Sequence, residues 1–160
     1  MANYVYTPYR NVCVGKTSDY TARKLFAGSA DSSAWATNIY GFFNDEGAVA
    51  SSAAHVFQST YAAGEMPAFA DRAGSALGSV TSGTVGAGII DAADELYTST
   101  YAITGTTQYE DWIVYKYDVT AASAAGSALL VKFDTATGLP LTANSADVTV
   151  VFNAGGIWTF

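Results

Sequence analysis

The hydrophobic pattern is clearest in the last third of the chain, Trp112 to Phe160. Here WIVYKYDV, ALLVKF and ADVTVVFN are rich in β-branched and aromatic residues and bounded by turn residues. This is the signature of strands. In ALLVKF, Leu129, Val131 and Phe133 fall on one face at period two, with Lys132 on the other. In ADVTVVFN, Val148, Val150 and Phe152 share a face opposite Thr149 and Asn153. Such alternation predicts strands with one face against a core and one nearer water. WIVYKYDV differs, because Ile113, Val114, Tyr115 and Tyr117 put apolar atoms on both faces. That strand needs cover on both sides, from a second sheet or a partner chain.

Upstream the pattern is weaker. Tyr4, Tyr6 and Tyr9, with Val5 between, suggest an extended segment that Pro8 limits to an edge strand or an arm. Two readings stand: the first strand of the domain's sheet, or an arm that docks on a neighbouring subunit by strand addition with tyrosines in pockets. Residues 15–34 are polar and turn-rich, with a helical turn allowed near Tyr20–Leu25. WATNIYGFF (35–43) predicts a strand kinked or bulged at Gly41, and NDEG (44–47) a turn. Residues 48–63 allow one short helical piece. Residues 64–88 hold many glycines and read as loop, with one weak strand near Ala76–Thr84. Ile89 and Ile90 close a strand, Asp91–Asp94 turn, and the alternation from Leu96 to Ile103 completes a strand pair.

Composition changes the picture in two ways. A length of 160 residues predicts one domain with a core large enough to need no staple. Charged residues are only 13% of the chain, against about 25% in ordinary globular proteins. A tyrosine-rich, charge-poor surface suits contact with other protein copies, since interfaces favour aromatics and disfavour Lys and Glu. The formal charge of -7, with scattered bases, disfavours nucleic acid as a partner. No window is apolar for the length of a membrane helix, and the first residues do not form a secretory signal, so no membrane association is expected and assembly in a cytoplasm is.

Candidate chemistry is sparse. Cys13 is the one cysteine and cannot pair within the chain; it is expected as a small buried hydrophobe. His55 is the one histidine, without the partners of a metal site or triad. GKTS at 15–18 lacks the upstream glycine of a phosphate loop, and Gly83, Gly86 and Gly88 are not spaced as a dinucleotide fingerprint. Asp91, Asp94, Glu95, Glu110 and Asp111 lack the calcium-loop pattern and are expected in turns and solvated edges. No catalytic residue, metal or cofactor is expected, and the hydrolase reading finds no constellation to support it.

The order TNIYGFFND, GTVGAGIIDAADELYTSTYAITG, EDWIVYKYD, SALLVKFDTATGLPLTANSADVTVVFNAGGIWTF resembles a widespread family of small tailed-bacteriophage virion proteins. In that family, segments of the type TIKVALVD, FDADDVTF and AxVIYKD precede LIAYIDTATGLPVTPNGGDITVxW and an apolar hairpin. The run DTATGLPLTAN at 134–144 carries the most specific likeness, and it would place Gly138, Pro140 and Asn144 in the loop before the Asp147–Asn153 strand. The resemblance spans 35–160 and is strongest over 112–160; the first 34 residues depart from the family's amphipathic-helix start. It implies a structural protein of the virion without catalytic residues.

Pattern and resemblance together predict an all-β fold: a two-sheet antiparallel β-sandwich of about seven to nine strands, with one short helix. The N-terminal arm and first connecting segment would occupy 1–34 and the sandwich domain 35–160. The expected function is a capsid decoration (cement) protein that binds and stabilises the icosahedral head. The alternative is a tail, collar or fibre component that contacts the host surface. The expected partners are the major capsid protein or other virion proteins, with self-association on the particle. Tyr4, Tyr6, Tyr9 and Arg10 are the candidate partner contacts, because arginine among aromatics is a common hot-spot composition.

Overall fold

The computed structural model describes residues 3–7, 39–66, 81–82, 89–97, 107–117, 123–144, 146–152 and 158–159. The strands are β1 (Tyr4–Val5), β2 (Ile39–Asn44), β3 (Glu65–Met66), β4 (Thr81–Ser82), β5 (Ile89–Asp91) and β6 (Glu95–Tyr97). They continue with β7 (Gln108–Tyr109), β8 (Asp111–Lys116), β9 (Ala128–Phe133), β10 (Leu141–Thr142), β11 (Val148–Val150) and β12 (Trp158–Thr159). Among the described residues, the 3-10 turn Gln58–Tyr61 is the helical piece expected in 48–63. The fold is mostly β, antiparallel and sandwich-like.

The main sheet has five strands in the order β1-β9-β8-β2-β3. Smaller sheets pair β10 with β7, β11 with β6, and β12 with β5 and β4. The expected pairing of the 89–90 strand with the 96–103 strand is therefore replaced: β5 pairs with β12 and β4, while β6 pairs with β11. Every residue of β8 is buried. On one face Trp112 and Val114 join Ile39, Phe43 and Leu130, covered by Tyr97, Tyr109, Leu141, Val148 and Val150 of the smaller sheets. On the other, Ile113 and Tyr115 join Tyr6, Phe42, Tyr61 and Leu129. The two-sided cover read from WIVYKYDV is thus supplied by the chain itself.

Two expectations change. The irregularity lies in β9, not at Gly41. Val114 pairs with Val131 and Tyr115 with Leu129, so Leu130 is the extra residue of a β-bulge. The bulge breaks the period of two, sending Leu129 to the tyrosine face and Leu130 and Val131 to the tryptophan face. It sits where the outer edge of β9 changes partner. Tyr6 N–H donates to the Leu130 carbonyl on one side, and Leu129 N–H donates to the Val56 carbonyl on the other. Gly41 instead stays in regular register opposite Val114. A Cβ there would lie 2.5 Å from the Trp112 ring and 2.7 Å from the Tyr97 hydroxyl. Its role is to admit the indole, whose Nε1–H donates to Tyr97 Oη at 3.2 Å.

Candidate functional site

Two features stand out on this frame: an ionic cluster beneath one face of the main sheet and an apolar cleft on the other. The cluster forms a row across four strands. Tyr4 of β1 is paired with Lys132 of β9, Lys132 with Ile113 of β8, and Asp111 of β8 with Asn44 of β2. Because alternation holds between Asp111 and Ile113, the carboxylate and the amine project to the same side. The turn after β2 closes over them. It is held by Asp45, whose Oδ1 accepts from Gly47 N–H at 2.7 Å, and by Glu110 Oε2, which accepts from Glu46 N–H at 3.0 Å.

Lys132 Nζ lies 2.8 Å from Glu46 Oε1, 2.8 Å from Asp111 Oδ1 and 3.6 Å from Asp134 Oδ2. Its side chain and that of Asp111 are both 0% exposed. Asp111 Oδ2 accepts from Asn44 Nδ2 at 3.2 Å and from the Ser51 hydroxyl. The ammonium also faces the Tyr4 ring, 5.4 Å from its centroid. Burial would lower the lysine, but hydrogen bonds and charge from Asp111 and Glu46 outweigh it and hold the ammonium above the ordinary lysine range. Burial dominates at Asp111 and raises its carboxyl despite Lys132, Ser51 and Asn44. At Glu46 burial also raises, yet the bonds to Lys132 win and the net shift is downward. Two of the acids beside the amine are thereby pushed apart, Asp111 towards the protonated and Glu46 towards the ionised form.

These positions correct the sequence reading. Lys132 was expected on the wetter face of its strand and Asp111 at a solvated edge; both are sealed inside, because the 45–51 turn covers that end of the sheet. Pattern reading gave no role to Asn44, Glu46 or Ser51. The available signal was Lys132 itself, a single charge inside the apolar run ALLVKF.

Of the four candidate contacts, Tyr4 and Tyr6 lie inside the fold. Tyr4–Val5 is the edge strand of the chain's own sheet, and Tyr6 is fully buried. Tyr6 Oη meets Tyr61 Oη at 2.8 Å, and Tyr61 Oη meets His55 Nδ1 at 3.1 Å. Burial raises the Tyr6 phenol and lowers the His55 imidazole. Tyr9, Arg10 and Cys13 lie outside the described residues.

The cleft, about 580 Å³, opens on the tryptophan face. Trp112 and Phe133 line it together with Leu139 and Leu141 from one wall and Val150 and Phe152 from the other. Val151 on its rim is 70% exposed. The DTATGLPLTAN run builds the first wall. Gly138 turns there with φ +95°, a conformation that side chains with a Cβ rarely adopt.

Among the described residues no group of three His, Cys, Asp or Glu side chains could hold a metal ion, and no helix is long and apolar enough to cross a membrane. Compared with family models, with curated proteins and with solved structures, the chain shows no match.

Proposed function

We propose that the chain is a structural protein of a bacteriophage virion, not an enzyme, and that it serves as a capsid decoration protein bound to the icosahedral head. One observation carries the reading. The segment with the most specific family likeness, 134–144, forms an apolar wall of an open cleft, while the Lys132–Asp111 cluster on the other face is buried. A protein built this way offers neighbours shape and apolar area rather than a reactive cleft. Many copies, each bridging shell subunits through modest contacts, would gain strength from effective concentration.

Tyr6 is buried and Tyr4 is part of the sheet, which leaves Tyr9 and Arg10 as the proposed N-terminal contacts. Removing residues 2–12 would also remove β1 and the buried Tyr6, so deletion would test folding as much as binding. Arg10→Ala and Tyr9→Ser are the cleaner variants. Proteomics of separated heads and tails tests the assignment: hundreds of copies in heads support decoration, whereas recovery only with tails supports the tail, collar or fibre alternative. Co-sedimentation of purified protein with bare heads then measures whether the Arg10→Ala chain binds more weakly.

A further inference from the structure

We propose that Lys132 and Asp111 condense to an intramolecular isopeptide bond that staples β9 to β8, with Glu46 as the proton-transferring residue. The inference is independent of the virion reading. It rests on the placement of Lys132, Asp111 and Glu46, which the fold brings together. An amine and two carboxyls meet within 2.8 Å in a site from which water is excluded, and the amine and Asp111 are fully buried. Fixing reactants in this way supplies a large effective concentration, and a dry site favours loss of water over its return. Condensation also replaces a buried ion pair, costly to desolvate, with a neutral amide.

Asp111 is the better acyl partner. It is anchored on the central strand, and Asn44 and Ser51 both hold its Oδ2. Oδ1 is left towards the amine, 2.8 Å from Nζ. Glu46 comes from a turn and is slightly open, with a side chain 9% exposed, which suits a group that exchanges protons. The steps balance. Glu46 takes one proton from the Lys132 ammonium. The neutral Nζ attacks Cγ of the protonated Asp111 carboxyl. A second nitrogen proton passes to one hydroxyl, which leaves as water. A C–N bond forms and a C–O bond breaks; the nitrogen keeps one hydrogen, and Glu46 ends with the proton the lysine began with. Nothing is oxidised or reduced.

The test is the intact mass of the full purified chain under denaturing conditions, with a peptide map. The expected result is a chain lighter than its sequence by one water, with a branched peptide joining residues 111 and 132. Lys132→Arg should restore the full mass, Glu46→Gln should fold and accumulate unlinked chain, and Asp111→Asn should link with loss of ammonia instead of water. A native chain of full sequence mass overturns the proposal, as does a water loss that survives Lys132→Arg or a branch that maps to Glu46. If Lys132→Arg does not fold, the peptide map of the native chain decides alone.

Discussion

The two faces of the main sheet solve the same burial problem by different means. On the tryptophan face, the smaller sheets lay Tyr97, Tyr109, Val148 and Val150 over Trp112 and Val114, and the Trp112 indole N–H is taken up by the Tyr97 hydroxyl. On the opposite face, a loop and a 3-10 turn do the covering, and the buried layer is tyrosine-rich, linked by hydroxyls and finished by an ionic cluster. An apolar face tolerates gaps, and a cleft remains open beside it. A face that buries charge cannot, because every ion needs a partner and exclusion of water raises the stakes of each contact. The first face is held by area and the second by specific pairing.

The sharpest way to break that contrast is Lys132→Met. Measured against the unlinked chain of Glu46→Gln or against a native chain without the 111–132 branch, it leaves the carboxylates of the cluster buried without a counter-charge and should cost about 3–5 kcal/mol in chemical denaturation. A loss as small as that of an ordinary surface change would place the cluster's contribution near zero. On the apolar face, Gly41→Ala should cost about 1–3 kcal/mol by overpacking, since its methyl would meet the Trp112 ring and the Tyr97 hydroxyl. Combining it with Trp112→Phe should cost less than the sum of the two, and strict additivity would show that the ring is not what the methyl meets.

A smaller effect is expected at Glu95, whose carboxyl is pushed up to about 7 by burial on β6. A raised folded value means the native state holds the proton more tightly. The resulting stabilisation is complete below the unfolded value near 4.5 and is lost as pH rises through about 7. Glu95→Gln should therefore flatten the fall in Tm between those pH values, and an unchanged slope would assign it elsewhere. The least effect is expected at Leu96, next along the same strand and 52% exposed: Leu96→Ser should stay within about 0.5 kcal/mol.

How far these features could be read from residues follows the same division. The strands of the apolar face were legible because alternation reports burial directly: Val148, Val150 and Phe152 pack inward and Thr149 stays out, as their spacing predicts. The central place of β8 was legible in its lack of alternation. The bulge at Leu130 was not, because it is set by the switch of edge partner from β1 to residues 56–58, a tertiary event. Nor was the cluster, since a lysine in a strand reads as a wet face until the turn that covers it is known. Asn44, Glu46, Ser51, Asp111 and Lys132 are spread over almost ninety positions and meet only through the pairing of β2, β8 and β9.

Strand β8 is sealed on both sides by the chain's own residues. Native-state hydrogen exchange tests it most directly. The amides of Ile113, Val114 and Tyr115 should be the slowest in the molecule and exchange only through global unfolding, while those of β10 and β11 open locally and faster. Exchange in β8 as fast as in β11, independent of global stability, would contradict it.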